Sequence, residues 1–341
     1  MANQHVLSSI FSIALLFLAG GHADATSWRI NNNANRKAHF KDINAAMSSS
    51  EVQAGDTLYL DPGCLLTSAQ TVNKQVTIIG TGYFLPSDMV VASVGNLTLK
   101  AANIKVEGLQ ITGSLTFGAN NITVERCKIG SVSYTGTAQK ATIRQCYIPN
   151  GRILGAGQTN SATAYWTIEN CIIQYSNDYD PIKNLYLPTI CNNYIRPNYS
   201  KGSAAVAYVT GAIIVNNIFI NTKFIDNANL YEISECVVTN NVFHIAAYKD
   251  TYPNSIIIEE NTEEAVFVLE GTNDQLYQLK DDSPAKGAAN DGGDCGPYGG
   301  THPYIPSGYP LGMPRFVSNS ASTRATDGKV SFSNQVSIQD R

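Results

Sequence analysis

The chain has 341 residues, 43% hydrophobic and 15% charged, and its 23 Lys and Arg against 27 Asp and Glu leave a net charge of −4. That weakly acidic balance excludes a nucleic-acid binder, which needs concentrated positive charge. Beyond residues 6–21, no stretch approaches about 18 consecutive apolar residues, so nothing in the mature chain is expected to span a membrane.

Residues 6–21 form an apolar run followed by Ala23-Asp24-Ala25, a small-x-small cleavage signature. The segment 1–25 therefore reads as a signal peptide cleaved after Ala25, with a secreted, periplasmic or cell-surface destination. Cleavage removes one Asp and no Lys or Arg, taking the net charge from −4 to −3. Next, Phe40, Ile43 and Met47 fall on one helical face, which predicts a helix capping an open end of the structure that follows. Short strands are expected around Thr57, Val76 and Leu97.

From Lys105 onward one seven-residue pattern recurs seven times: KVEGLQI, TVERCKI, TIRQCYI, TIENCII, TICNNYI, IIVNNIF and VVTNNVF, with starts spaced by 18, 19, 25, 22, 24 and 24 residues. The second and seventh positions are apolar in every copy. The fifth runs Leu109, Cys127, Cys146, Cys171, Asn193, Asn217, Asn241. A unit this short and β-rich cannot hold a core alone, so its apolar face must be buried against its neighbours. The pattern predicts an all-β right-handed parallel β-helix, with coils about 4.8 Å apart and equivalent positions stacked in columns. Stacked Asn side chains hydrogen-bond from coil to coil and tolerate left-handed turn geometry. Stacked Cys is the apolar version of that device. Three Cys in one column cannot all pair, and Cys64 and Cys295 lie roughly 30 Å apart in this register, so reduced thiols are expected. A single Cys127–Cys146 or Cys146–Cys171 bridge is the alternative.

Positions one, three and six should point outward. They turn from polar in the early coils to apolar late (Ile213, Val215, Ile218, Val237, Val242), which calls for a cover, either the C-terminal tail or a second subunit; self-association through this late apolar face is the corresponding expectation. The tail itself is Pro-rich after Thr301, then alternates around Asp327-Gly328 as a hairpin. The division is thus a signal peptide (1–25), a capped β-helix (26–300) and a linker with hairpin (301–341).

Three constellations carry candidate chemistry. The third-position column places Arg144 between Glu125 and Glu169, an arrangement that supports acid–base work at a glycosidic or uronate carbon and equally a solvated charge ladder. The loop SNDYDPIK offers Asp178 and Asp180 as oxygen ligands for Ca²⁺ and Lys183 as a base, or ordinary turn chemistry. Aromatic density between Tyr165 and Tyr208 offers sugar-stacking rings. Tyr147, Tyr194, Tyr175 and Tyr179 are the glycan-binding candidates, against packing within the solenoid.

On the heptapeptide coils, the opening segment from His39 to about Gly82 and the closing segment QLYQLKDDSPAKGAANDGGDCGPYGG, the chain resembles secreted bacterial β-helix proteins of the pectin-lyase-like superfamily. The resemblance covers most of residues 38–300. It implies a parallel β-helix and a polysaccharide partner, without granting an activity. The superfamily's polygalacturonan-hydrolase motifs (Asn-Thr-Asp, Asp-Asp, Gly-His-Gly, Arg-Ile-Lys) are absent from the coils; Asp281-Asp282 lies beyond them. The pectate-lyase arginine motifs are absent too. The leading expectation is therefore a non-catalytic polysaccharide-binding protein with no required cofactor, Ca²⁺ being the one cation considered. A divergent lyase or hydrolase and a structural module are the alternatives.

Overall fold

The computed structural model describes residues 25–341 apart from 86–89, 176–179, 198–202, 221–228, 261, 272, 311–313, 322–331 and 339–341, with the backbone alone for 314–321 and 332–338. Asp178, Tyr179, the hairpin tip at Asp327-Gly328 and nearly all of the expected signal peptide lie outside these residues.

Each heptapeptide folds as strand, sharp corner, strand. Positions one to three supply seven strands of a ten-stranded parallel sheet, which runs from Ser27–Ile30 and Thr57–Leu60 through Thr123–Glu125 to Val237–Thr239. The register stacks Val106, Val124, Ile143 and Ile168, then Ile190, Ile214 and Val238. Positions six and seven form a second row, and a third row follows it (Ile153–Leu154, Ile182–Tyr186, Val206–Thr210, Leu230–Ser234). In the early coils single strands, Gln110–Phe117 and Lys128–Tyr134, run through both rows, so these rows belong to one 16-stranded sheet folded on itself. The result is a parallel β-helix whose β-branched core fills the interior of every coil.

The corner explains the sequence columns, with one correction. Position four, not five, takes the left-handed conformation: Gly108, Arg126, Gln145, Asn170, Asn192, Asn216 and Asn240 all have φ between 52° and 64°. Position five points inward and is fully buried. There Asn193 Nδ2 donates to Asn217 Oδ1 and Asn217 Nδ2 to Asn241 Oδ1, each at 3.0 Å. Each amide also donates to a main-chain carbonyl in the preceding coil (Ile168, Ile190, Ile214). The cysteines continue this ladder in softer form: the Cys146 main-chain N–H meets Cys171 Sγ at 3.4 Å, and Cys171 Sγ–H reaches Ile143 O at 3.5 Å. All seven cysteines are free.

One end is closed as the sequence predicts, by a helix at Ile43–Ser48 that buries Ile43, Ala46 and Met47. Asp42 caps it, accepting the Ala45 N–H at 2.7 Å. Phe40 precedes the helix and bridges Ile30 instead of lying on the helical face. At the other end, Tyr248 and Tyr252 pack on Phe243 with ring centroids 4.9 and 6.0 Å away. Pro314–Ala321 and Phe332–Ile338 form the expected antiparallel hairpin.

The cover over the second row is the chain's own returning segment, residues 256–310. With Tyr83 and Phe84, which lie on Tyr147, it covers Tyr147, Ile172, Tyr194, Ile218 and Val242, its Phe267, Tyr277, Cys295 and Tyr304 completing a second apolar cluster outside the coils. The position-four side chains fasten it in order. Asn240 donates to Ala288 O, Asn216 to Asn290, Asn170 to Pro297 O and Gly299 O, and Gln145 to Pro303 O. Asp274 anchors its last turn, accepting from Tyr304 OH and Ser307 N at 2.9 and 2.6 Å. Burial pushes the Asp274 carboxyl above the usual carboxylate range despite those hydrogen bonds.

Candidate functional site

The third-position column is assembled, and it is a compensated network. Glu125 receives Lys105, Arg126 at 3.2 Å and Arg144 at 3.4 Å; Arg126 also holds Glu107 at 2.7 Å, and Arg144 reaches Glu169 at 3.4 Å. Lys105 and Arg126 were not foreseen as members. Arg126 sits at the left-handed corner, which swings its guanidinium back over the column. Burial alone would raise the Glu125 carboxyl, but the Lys105 hydrogen bond and the charges of Arg126, Lys105 and Arg144 outweigh it and hold it below the usual range. A carboxylate held ionised by three cations is a poor proton donor.

The tyrosine candidates separate. Tyr147 is 8% exposed and Tyr194 0%, because the position-six column that the sequence reading pointed to solvent is covered: Tyr83 and Phe84 lie on Tyr147, and Phe267 and Tyr277 of the returning segment lie on Tyr194. Tyr194 donates to Glu263, which Arg196 also holds at 2.9 Å. Tyr175 is half-buried. Trp166 is fully buried against Phe117. The third row does keep exposed rings: Tyr231, 49% exposed, meets Tyr208 edge-on at 5.6 Å.

Asp180 and Lys183 are brought together at 2.8 Å, and Lys183 Nζ lies 4.6 Å from the Tyr208 ring centre. The other Asp180 oxygen accepts the Ala204 N–H of the next coil at 2.9 Å, so both carboxylate oxygens are engaged. Among the described residues no group of three His, Cys, Asp or Glu is placed to hold a metal ion.

A concave feature lies where the second row bends into the third in the early coils. Here a trough of about 560 Å³ is lined by Gln110, Thr112, Ser114, Lys128, Ser131 and Asn150. Its floor carries two stacked glycines: a Cβ on Gly113 would overlap Asn96 Oδ1, and one on Gly130 would overlap Gly113 O. The register also shifts between Ile129 and Ser131, an irregularity that re-aims side chains at the bend. Without side chains there, main chain and hydroxyls come directly to the surface. Lys128 Nζ stands 4.6 Å from the Phe84 ring centre. No carboxylate among the described residues pairs with it. Burial lowers its pKa, with the Asp274 charge acting the other way. Sequence reasoning missed this site, although a signal was present: a Gly follows the apolar seventh position within three residues in each of the first three copies, Gly113, Gly130 and Gly151.

No protein-family model matches the chain, and no curated protein matches it either.

Proposed function

We propose that this is an exported, non-catalytic polysaccharide-binding β-helix, and that the sugar polymer lies along the glycine-floored trough. The observation that carries the reading is the lining itself. Six polar side chains from three successive coils converge on one concave strip about 560 Å³ in volume, among them Lys128, which packs on Phe84 and forms no salt bridge with a carboxylate among the described residues. Sugars present dense hydroxyls between small apolar faces, which such a lining matches. A strip running along the solenoid axis suits an extended polymer, because each coil repeats the same contacts about 4.8 Å further on. Tyr208 and Tyr231, on later coils beyond the bend, would offer further ring surface to a chain that leaves the trough.

The test is affinity electrophoresis of the chain from Thr26 onward through gels containing neutral or acidic polysaccharides, with unsaturated products and reducing ends followed in parallel. Retardation that weakens in Lys128→Ala and Asn150→Ala, with no product formed, supports the reading. Turnover lost in Glu125→Gln or Arg144→Ala would replace it with the lyase or hydrolase alternative. Retardation untouched by both trough variants would move the sugar elsewhere on the surface.

A further inference from the structure

The two ends of the solenoid are finished differently. At the first coil, the edge of Ser27–Ile30 is occupied: Arg29 O accepts the N–H groups of His39 and Phe40, the Asn31 N–H reaches Phe40 O, and the capping helix follows. At the last coil, Leu230–Ser234 and Val237–Thr239 each have a strand on one side only. Tyr248 OH covers the main chain of Leu230, with contacts of 3.3 and 3.4 Å. From Tyr231 to Val237 the coil is open: Tyr231, Glu232, Ser234, Glu235 and Val237 are exposed, and Ile233 and Cys236 are half-buried. A strand with one neighbour presents alternate N–H and C=O groups to whatever can pair with them.

The same chain carries a segment with the complementary need. The hairpin of Pro314–Ala321 and Phe332–Ile338 pairs with nothing but itself among the described residues, and an isolated two-stranded hairpin is marginal in water. Its two strands hold one charged residue, Arg315, while the open coil from Leu230 to Val237 holds Glu232 and Glu235 and no cation. Two last coils meeting end to end would instead set these glutamates against each other.

Geometry decides whose hairpin can reach. Pro310 sits at the coil of Lys105–Glu107, where a Cβ on Gly108 would meet its ring at 2.6 Å. Six coil steps separate that strand from Val237–Thr239, and the docking position is one step further, roughly 34 Å along the axis at about 4.8 Å per step. The four chain steps from Pro310 to Pro314 span at most about 14 Å. A hairpin strand cannot lie along the last coil of its own chain. We propose that the hairpin of one chain docks on the open last coil of a second copy, pairing with Leu230–Ser234. Reciprocal exchange gives a closed dimer, and one-way docking gives an open chain of copies.

Sedimentation velocity of the full mature chain over a range of concentrations tests this, together with two exposed charge reversals that leave the core untouched. Association is expected, weakened roughly threefold by Glu235→Lys and by Arg315→Glu, and recovered when the two are combined. Monomers at every concentration would overturn the proposal. So would association indifferent to Arg315→Glu, which points to bare end-to-end contact. Bridging Cys236 to Ser337→Cys with a short bismaleimide adds a second readout. A product of twice the chain mass is expected; a bridged single chain, or no product, would overturn docking between copies.

Discussion

The covered corner and the open bend of the same coils are built from similar residue types with opposite consequences. At the corner, tyrosines, glutamates and an arginine are enclosed by residues 256–310, each paired or packed, and they hold the returning segment down. At the bend, hydroxyls and two amides lie over glycine with no residue of 256–310 in the lining, beside a half-buried lysine packed on Phe84. An outward-pointing position in a solenoid therefore says nothing about exposure until the rest of the chain has been placed. Aromatic density and paired charges marked the corner as the chemical surface, yet they mark where the solenoid is sealed.

That contrast can be broken most severely at Tyr194. Tyr194→Ala empties a fully buried site between Phe267 and Tyr277 and should cost about 4 kcal/mol in urea unfolding. Polysaccharide retardation per folded molecule should stay unchanged, and a loss of binding would return the corner to the functional surface. Next, Asn217→Ala removes the acceptor for the Asn193 N–H and Nδ2 and the donor to Ile190 O. It should cost about 3 kcal/mol, because buried polar groups are left unpaired, whereas Cys146→Ala in the softer half of the ladder should cost about 1–2 kcal/mol. Lys128→Ala tests the other side of the comparison: stability moves by less than about 1 kcal/mol while retardation falls about tenfold, or 1.4 kcal/mol.

A pH series sharpens the corner further. The folded Asp274 carboxyl is raised, so its contribution is present below the unfolded carboxylate range and is lost as pH rises through the folded value. The folded Glu125 carboxyl is lowered, so its contribution is present above that range and is lost as pH falls through the folded value. Asp274→Asn should therefore gain stability over the parent in neutral and alkaline buffer, with the gain shrinking toward acid. Glu125→Gln should lose stability at neutral pH and draw level in acid. Urea midpoints at pH 4 and pH 8 read both signs. The smallest effect belongs to Tyr231→Ala, which should move stability by less than about 0.5 kcal/mol since its ring is exposed.

The architecture was legible because a column is a one-dimensional signal. Val106 to Val238 and Cys127 to Asn241 repeat at a readable spacing, and the cap helix and hairpin carry their own local chemistry. The cover was not legible. Whether Tyr194 faces water depends on Phe267 and Tyr277, far along the chain and without any repeat of their own. Position four was misassigned by one residue because Asn occupies both the turn and the ladder in the late coils; Arg126 and Gln145, in the early coils, distinguish the two. The trough escaped notice because its signal is the absence of side chains at Gly113 and Gly130.

The last part of the returning segment, residues 288–310, runs antiparallel to the direction of coil stacking, touching Asn240 first and Gly108 last. It acts as a splint. A stack of repeats ordinarily frays from its ends one coil at a time, but here loosening the last coils also releases the strap that seals coils near the start. The molecule should therefore fail as one piece instead of coil by coil. The splint also brings Pro310 back beside the chain's own early coils, so whatever follows it sets out from the flank of the rod instead of its end.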